Sequence, residues 1–424
     1  MQLGAQSLTR LMLIAAVTTA GCGVQAASTA RPDATSGRSA TVYVLSAGEM
    51  TPIQVGSDRP QKQIRMPGLP VAMVVTPNGD RAYVASLAQN GASGLVTPVS
   101  LVTRVAGRPI RVPPYPMYLA ITPDGRTVYV ASQIDGDNQY PGQITPIDVA
   151  TGKAGSPIRV GIDPGPILIT PDGKTAYIAN SGFSTQGSGS YLTPISIAAG
   201  RARKPISLPG TGVAMTPDGT TIYAVGTDYG AGPAPTAGPD RASSAWVGAR
   251  PARTGVVVPI STATSRTGKP IRIPGNPSAI AVAPDGRTAY VLDDPGPGAR
   301  PETAIPVSVI THLAGRPVPV AAQSFDIAFA PDGKTAYVLG SGIITQIRVA
   351  ADTVQRLIRV AKPSVAIAFT PDSRIAYVVS SPYTIRGDRI SFGRSSVVRV
   401  SAATGIAGAS ILVGREAMAL AVVP

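Results

Sequence analysis

The sequence predicts an all-β protein, a β-propeller built from four-stranded blades, and three observations carry this prediction. One local frame, usually Pro-Asp-Gly-(Arg/Lys)-Thr-x-Tyr-Val, returns at intervals of about 40 to 48 residues and is stretched once by an insertion. Each copy of this frame has the pattern of four short strands. The two ends of the chain supply complementary strands of one blade. The tyrosines of the repeat are Tyr43, Tyr83, Tyr129, Tyr177, Tyr223, Tyr290, Tyr337 and Tyr377. Eight blades is the direct interpretation, and seven blades with one displaced repeat is the alternative.

The copy from Met117 to Val160 shows why each unit is predicted to contain four strands. Tyr118 to Thr122 is apolar along its length, as expected of a strand buried on both faces. Pro123-Asp124-Gly125-Arg126 predicts a tight turn, because Pro presets φ, Asp accepts a bond from the backbone two residues on, and Gly adopts positive φ. The second, third and outer strands are predicted at Thr127 to Ala131, Ile144 to Val149 and Pro157 to Val160. A repeated antiparallel meander of this length is typical of propeller blades.

The two ends of the chain predict that the repeats close into a ring. The last residues, Leu420 to Pro424, form a first strand that stops where Asp-Gly would follow. The repeat region begins with Thr41 to Leu45, which has the pattern of the missing second strand. Pairing of these two segments would remove the open sheet edges and lock the ring.

By its motifs the chain resembles the YVTN family of bacterial β-propellers, which includes YncE-like periplasmic proteins. Tyr177-Ile178-Ala179-Asn180, Tyr129-Val130-Ala131-Ser132 and Tyr83-Val84-Ala85-Ser86 are similar to the Tyr-Val-Thr-Asn signature, and Pro171-Asp172-Gly173-Lys174-Thr175 matches the preceding turn. The resemblance covers about residues 40 to 424, as the repeats do. It implies the fold and leaves the activity open, because propellers host unrelated functions.

The N-terminal residues predict export and a lipid anchor. Leu11 to Ala20 is a short apolar core preceded by Arg10, which is typical of a signal peptide and too short to span a bilayer. Thr19-Ala20-Gly21-Cys22 resembles a lipobox, and Cys22, the only cysteine, is the predicted lipid attachment site. Cleavage near Ala26 or Ala27 without lipidation is the alternative. We therefore divide the chain into a signal peptide (1–21), a flexible tether (22–40) and the propeller (41–424).

Few residues of the chain are suited to catalysis. The sole histidine, His312, lies at a position that is a turn in the other repeats, and the glutamates are Glu49, Glu302 and Glu416. The sequence offers no Ser-His-Asp set and no His/Cys metal cluster, and no cofactor is predicted. Asp135-Gly136-Asp137-Asn138 lacks the rest of a calcium loop and is interpreted as a polar turn. A lactonase-like hydrolase using Glu302, Glu416 or nearby aspartates remains the enzymatic alternative.

The net charge of +14 allows two interpretations. Lys and Arg recur at repeat positions, near the turns and on the outermost strands, where they keep edge strands apart and the surface soluble. The alternative is that this basic surface binds an anionic polymer or nucleic acid.

Tyr115 and Tyr118, at the start of a first strand, are expected to pack between blades, with a position lining the channel mouth as the alternative.

The loop between the second and third strands varies most from blade to blade, and in a meander all such loops open on one face of the ring. The insertions are Gln133 to Gln143, Ser181 to Ser190, Gly226 to Gly255, Asp293 to Thr303 and Ser381 to Ser396. Two of them carry aromatic and arginine residues that often anchor interfaces. The candidate binding residues are Tyr229, Arg241, Trp246, Arg250 and Arg253 in the longest insertion, and Tyr383, Arg386, Asp388, Arg389, Phe392 and Arg394 in the last.

We therefore expect an exported, lipid-anchored propeller that acts as a non-catalytic binding or scaffold module through the face carrying the insertions. Its expected location is the outer face of the cell membrane, with a secreted or periplasmic soluble protein as the alternative. The expected partner is an envelope or extracellular protein or polymer. The ring itself is expected to be a monomer.

Overall fold

The computed structural model describes residues 40–88, 91, 93–133, 141–184, 187–228, 254–294, 301–361, 363–386 and 389–424. These residues form eight antiparallel blades arranged in a ring, so the direct interpretation of eight copies is confirmed. The one helical segment among them is the 3-10 turn Val349–Ala351. In this part of the chain, no helix has the length and apolar character required to cross a membrane.

Each of blades 1 to 4 runs from an inner strand at the channel to an outer strand at the rim. Blade 1 comprises Ala419–Val423, Thr41–Ser46, Glu49–Gln54 and the pair Arg59–Pro60 and Ile64–Arg65. Blade 2 comprises Leu69–Val75, Arg81–Leu87, Gly94–Ser100 and the pair Val105–Ala106 and Ile110–Val112. Blade 3 comprises Pro116–Ile121, Thr127–Ser132, Pro141–Asp148 and Ile158–Ile162. Blade 4 comprises Pro164–Ile169, Thr175–Ser184, Gly187–Ser196 and the pair Arg201–Ala202 and Ile206–Leu208.

Blades 5 to 8 repeat this order. Blade 5 comprises Gly212–Met215, Thr221–Asp228, Thr254–Ser261 and the pair Arg266–Thr267 and Ile271–Pro274. Blade 6 comprises Pro277–Val282, Thr288–Asp293, Thr303–Ser308 and Val318–Pro319. Blade 7 comprises Ser324–Phe329, Thr335–Gly340, Ile343–Arg348 and Thr353–Arg359. Blade 8 comprises Ser364–Phe369, Ile375–Ser380, Arg394–Ser401 and Ala407–Arg415, and a separate hairpin pairs Tyr383–Arg386 with Arg389–Phe392.

The predicted ring closure is confirmed in blade 1. The C-terminal strand Ala419–Val423 pairs antiparallel with Thr41–Ser46, and the register places Tyr43 opposite Ala421. The same C-terminal strand also contacts the inner strands of blades 2 and 8. These two strands therefore share one sheet, and unfolding either of them breaks a blade.

The Asp-Gly turns follow the predicted hydrogen bonding. In blade 3 the backbone N–H of Arg126 donates to Asp124 Oδ1 at 3.0 Å, and Thr122 Oγ1 donates to the same oxygen at 2.5 Å. Gly125 has φ of +70°, which an L side chain rarely adopts. These donations, above all that from Thr122, lower the pKa of Asp124 below its usual value. The turn aspartates are thus engaged in folding blades 3 to 8.

The repeated tyrosines join neighbouring blades. All eight rings are at most 3% exposed. Tyr177 donates its hydroxyl to the carbonyl of Thr262 at 3.0 Å, from blade 4 to blade 5. Corresponding donations to the following blade run from Tyr43 to Leu101 O, Tyr83 to Val149 O, Tyr223 to Val309 O and Tyr377 to Asp58 Oδ1. In these five copies the repeat tyrosine therefore contributes an apolar ring to the core and a polar link between blades.

The core lies between the faces of adjacent blades. Tyr83, Val96 and Val112 of blade 2, for example, pack against Val128 and Ile147 of blade 3. As expected, Tyr115 and Tyr118 pack between blades 2 and 3, against Val71, Leu87 and Met117. In blade 3 the inner strand begins two residues earlier and the third strand three residues earlier than the sequence predicted, and both end one residue earlier. Strand ends depend on pairing that the repeat pattern does not display.

Candidate functional site

The antiparallel order of each blade gives the ring two faces of different character. The turn face holds the Asp-Gly turns and the turns between third and outer strands. The insertion face holds the loops between second and third strands and the connections from each outer strand to the next inner strand. The insertions that the sequence predicted on one face therefore all start and end on the insertion face.

The longest insertion leaves blade 5 between two strands that remain paired to their last residues. Asp228 lies opposite Thr254, and Thr227 Oγ1 donates to Asn276 Oδ1 at 2.8 Å, which ties this end of the blade to the connection entering blade 6. The candidate residues Tyr229, Arg241, Trp246, Arg250 and Arg253 lie outside the described residues. Both ends of the insertion are thus fixed in position at the insertion face.

The insertion of blade 8 forms an ordered hairpin. Tyr383 lies opposite Phe392, and their ring centroids are 6.3 Å apart at an interplanar angle of 56°. Tyr383 is 41% exposed although it belongs to an aromatic pair. Arg386 lies opposite Arg389 at the tip of the hairpin, and Asp388 lies outside the described residues. The structure therefore brings the exposed Tyr383 and the partly buried Phe392 together, as an aromatic pair that the repeat itself does not require.

The base of this hairpin is anchored to blades 8 and 1. Ser395 and Ser381 are joined by a hydroxyl hydrogen bond of 3.1 Å, and Ser395 Oγ also accepts the backbone N–H of Ala417 at 3.0 Å. Gly393 N–H donates to Pro382 O at 2.8 Å. Arg394 follows directly, with an exposed side chain at the start of the third strand. A rigid base therefore presents an aromatic pair and an arginine on the insertion face.

All three glutamates of the chain lie on the insertion face. Glu302 accepts the backbone N–H of Gln323 at 2.7 Å through Oε1 and that of Ser324 at 2.6 Å through Oε2. Both of its oxygens thus hold the entry to the inner strand of blade 7. Burial raises the pKa of Glu416, which precedes the inner strand of blade 1, and the pKa of Glu49 in the same blade.

A buried carboxyl on the channel-lining layer was not identified from the sequence. Asp326 lies on the inner strand of blade 7 and is 6% exposed. Ile327 and Phe329 pack toward blade 6, so the alternation of the strand directs Asp326 toward blade 8. Burial raises the pKa of Asp326 well above its usual value, and the backbone N–H of Ile327, donating at 2.8 Å, opposes this shift. The sequence does contain a sign of this carboxyl, because Asp326 stands where blades 6 and 8 have the small apolar residues Ala279 and Ala366.

His312 occupies a turn, as predicted. It has φ of +55°, its backbone N–H donates to Ser308 O at 3.0 Å, and its Nδ1 lies 3.2 Å from the Tyr223 hydroxyl. Burial raises the pKa of Tyr223 to about 12. Across the described ranges, no three His, Cys, Asp or Glu side chains are grouped so as to hold a metal ion. The polar turn predicted at Asp135 to Asn138 lies outside those ranges.

The turn face is basic and exposed. Arg126, Lys174 and Arg374 approach the aspartates of their own turns at 4.0, 3.7 and 3.8 Å, and their side chains are 82 to 85% exposed. Ion pairs this open to solvent contribute little to stability. These cations therefore remain available to an anion from solution.

Comparisons with known proteins support the fold. No family model and no curated protein matches the chain. A Kuenenia stuttgartiensis hydrazine synthase is similar with a TM-score of 0.50 and 22% identity, over 74% of this chain and 90% of that one. The dihydro-heme d1 dehydrogenase NirN, solved in complex with DHE, has a TM-score of 0.61 and 15% identity, over 90% of this chain and 74% of its own. The Dos1 propeller has a TM-score of 0.57 and 9% identity, over 84% and 91%. At these sequence identities the similarity shows the propeller fold, and it says nothing about the activity of this chain.

Proposed function

We propose that this chain is an exported, lipid-anchored propeller of the YVTN type that binds a protein or polymer of the cell envelope through its insertion face. The observation that carries the proposal is the ordered hairpin of blade 8, with Tyr383 exposed beside Phe392 and with Arg394 at its base. Aromatic residues and arginine dominate binding energy when they are held rigidly at the centre of an interface. The long insertion of blade 5 opens on the same face and supplies the other candidate residues.

The first test removes the hairpin contacts without altering the blades. Tyr383→Ser combined with Arg394→Ser is expected to abolish crosslinked capture of envelope components by the purified protein, quantified by mass spectrometry. The matched control is Ile310→Ser combined with Arg316→Ser, because both residues are exposed and lie away from the insertion face, Ile310 in the turn after the third strand of blade 6 and Arg316 at its rim. Equal capture by both double variants would show that the hairpin does not carry binding.

The second test addresses the long insertion. Deleting residues 230–250 leaves the paired ends Asp228 and Thr254 in place, so the ring is expected to keep its far-ultraviolet circular dichroism and its urea midpoint. Capture of the same envelope components is expected to fall. Capture at the level of the unmodified protein would remove this insertion from the proposed binding surface and leave the hairpin as its centre.

The lipid anchor is tested separately, because residues 1–39 lie outside the described part of the chain. Globomycin treatment or Cys22→Ala is expected to release the protein from the membrane fraction. Membrane retention that neither treatment changes would contradict the assignment of Cys22.

Anionic-polymer or nucleic-acid binding is a second candidate, favoured by the exposed cations of the turn face. It predicts an affinity for a polyanion that falls steeply with salt, since each neutralised phosphate releases counterions. Arg126→Gln with Lys174→Gln is expected to weaken binding and to reduce the slope of log K against log salt. A flat salt titration would eliminate this candidate without affecting the insertion-face proposal.

A further inference from the structure

The charge of this chain is divided unevenly between the rim of the ring and the rest of the molecule. Each blade has an outermost segment, made of its outer strand and the residues beside it. These segments are 59–66, 104–112, 153–160, 201–208, 266–273, 313–320, 353–360 and 406–415. They contain 18 Lys and Arg and no Asp or Glu, and all 18 residues are exposed. Because the whole chain has 37 Lys and Arg against 23 Asp and Glu, the net positive charge resides at the rim.

Most of this charge lies on five consecutive blades. The outermost segments of blades 1 to 5 carry 14 of the 18 cations, and those of blades 6 to 8 carry the other four. We call the Lys and Arg residues of segments 59–66, 104–112, 153–160, 201–208 and 266–273 the basic arc. Blades 1 to 5 follow one another around the ring, so the basic arc extends over more than half of the circumference.

Protection of the outer strand edges does not explain where these cations lie. Prolines and charges both keep edge strands from pairing with other strands. Blades 1 to 5 already have a proline within the outer strand or directly before it, and these are Pro60, Pro109, Pro157, Pro205 and Pro270. Charge is thus most frequent where edge protection needs it least. Edge protection would also accept Asp or Glu, which the five segments lack.

Nearby carboxylates leave the basic arc strongly positive. Three aspartates stand within five residues of its segments in sequence. Asp58 forms an ion pair of 3.8 Å with Arg399, which lies outside the arc. Asp148 accepts the backbone N–H of Thr151 at 2.6 Å and so holds a turn, and Asp163 lies in the connection from blade 3 to blade 4. Three carboxylates against 14 cations leave a large excess of positive charge, which attracts anions from solution.

The turn face is less suited to a polyanion than the rim. Arg126, Lys174 and Arg374 each lie within 4.0 Å of the aspartate of their own turn. Hydrogen bonds, above all that from Thr170, lower the pKa of Asp172, so this carboxylate stays ionised. A polyanion that approached these turns would meet carboxylates beside the cations.

We propose that the basic arc binds a flexible linear polymer of phosphate groups, which follows the rim across blades 1 to 5. This inference rests on the second candidate function, polyanion binding, and assigns it to the rim instead of the turn face. Ten of the 14 cations are arginines, whose guanidinium group matches the geometry of phosphate oxygens. A planar anionic surface would touch only one sector of a convex rim, whereas a flexible chain can contact all five segments.

The composition of the basic arc favours recognition of phosphate without bases. Proteins that bind single-stranded nucleic acids stack the bases on aromatic side chains between the cations. The five segments of the arc contain no Phe, Tyr or Trp. We therefore expect the arc to respond to the charge and length of a polymer, and an oligonucleotide to bind no more tightly than a polyphosphate with the same number of phosphates.

The test measures the binding of inorganic polyphosphate chains of increasing length to the full-length Cys22→Ala protein, which keeps a lipid anchor out of the measurement. Affinity is expected to rise with chain length and to fall steeply with salt, because longer chains neutralise more cations. The arc variant combines Arg65→Gln, Arg111→Gln, Arg159→Gln and Lys204→Gln, one on each of blades 1 to 4. It is expected to reduce the slope of log K against log salt by about 3, at roughly 0.7 for each lost contact.

The matched control combines Arg126→Gln, Lys174→Gln, Arg287→Gln and Arg374→Gln on the turn face, and it lowers the net charge by the same amount. This variant is expected to bind like the Cys22→Ala protein, and circular dichroism establishes that both variants are folded. Equal losses in the two variants would overturn the proposal, because binding would then follow net charge. A loss confined to the turn-face variant would overturn the assignment to the rim and leave the second candidate function standing. Absence of salt-dependent binding would remove both.

Two further probes distinguish other targets. Tighter binding of an oligonucleotide than of a polyphosphate with equal phosphate number would overturn the proposal, since bases would then be recognised. Tighter binding of the Cys22→Ala protein to anionic lipid vesicles, at equal phosphate concentration, would also overturn it, since a membrane would then be the target. The expected result is preference for polyphosphate over vesicles, and loss of that preference in the arc variant alone.

Discussion

At the scale of single residues, the buried tyrosine hydroxyls act between blades while the rings act within the core. The Tyr177 hydroxyl donates to Thr262 O at 3.0 Å, so Tyr177→Phe removes this link and keeps the ring. We expect a loss of about 1 kcal/mol in the free energy of unfolding, measured by urea denaturation, as is usual for one hydrogen bond. Tyr177→Ala is expected to cost about 3–5 kcal/mol, because it also leaves a cavity. Tyr383→Phe is the control. Because the Tyr383 ring is exposed, this substitution should change the free energy of unfolding little.

The buried carboxyl of Asp326 makes stability depend on pH in a predictable direction. Because burial raises its pKa in the folded state, the fold prefers the protonated form. The free-energy cost of burying the Asp326 carboxyl is absent below its unfolded pKa of about 3.9, and it grows as pH rises through the folded pKa. Asp326→Asn keeps an oxygen for the Ile327 N–H and cannot ionise. We expect its urea midpoint to exceed that of the unmodified protein at neutral pH and to converge with it near pH 4.

A midpoint difference for Asp326→Asn that stayed constant from pH 4 to pH 8 would mean that the carboxyl does not titrate in this range. The control is Asp172→Asn on the turn face. Hydrogen bonds, above all that from Thr170, lower the pKa of Asp172, so its contribution has the opposite sign. That contribution is present above the unfolded pKa and is lost as pH falls through the folded pKa.

At the scale of elements, the turn of blade 8 departs informatively from the repeat. Ser373 stands where the turns of blades 2 to 7 have glycine, with φ of +60°. Positive φ costs a non-glycine residue roughly 1–2 kcal/mol. In return, Ser373 Oγ accepts the backbone N–H of Asp332 at 2.9 Å, which links the turn of blade 8 to that of blade 7. The serine therefore exchanges local strain for a contact between blades.

This exchange predicts an unusual order of stabilities. Ser373→Ala keeps the strain and loses the bond, so we expect it to destabilise the ring by about 1–3 kcal/mol. Ser373→Gly loses the bond but relieves the strain, and should lie within about 1 kcal/mol of the unmodified protein. Gly286→Ala, at φ of +70° in blade 6, introduces strain without removing a serine contact and is the control. Equal urea midpoints for the two Ser373 variants would contradict this account.

At the scale of the whole molecule, the sequence was sufficient to predict the ring, its eight blades and the shared closing blade, because these follow from a repeat in local frames. It did not predict which groups the tyrosines bond, since the acceptor of Tyr223 lies 86 residues further along the chain. Asp326 stands where blades 6 and 8 have Ala279 and Ala366, but the repeat does not show how deeply a side chain at this position is buried. The aromatic hairpin of blade 8 was predicted as a set of residues, whereas the pairing of Tyr383 with Phe392 required the register of the strands.

The way the ring closes predicts that the chain can be opened elsewhere. Thr41 lies opposite Val423, and Pro424 follows Val423 as Pro77 follows Thr76 in blade 2. Inserting Asp-Gly-Arg between Pro424 and Thr41 would therefore complete a turn like those of the other blades. New termini can then be placed within residues 229–253, between the paired ends of two strands. We expect this permutant to fold with a circular dichroism spectrum and a urea midpoint close to those of the natural order.

Two comparisons make the permutation decisive. Opening the chain inside the strand Thr127–Ser132 should prevent cooperative folding, because that strand is buried and paired on both sides. Removing Ala419–Val423 should do the same, since it exposes the edge of Thr41–Ser46 and takes an inner strand from a closed ring. If the permutant joined through the new turn failed to unfold cooperatively while the truncated chain remained stable, the shared blade would not be what locks the ring. The stability of the ring would then come only from the packing between neighbouring blades. That packing is the same in the permutant and in the truncated chain, except at blade 1.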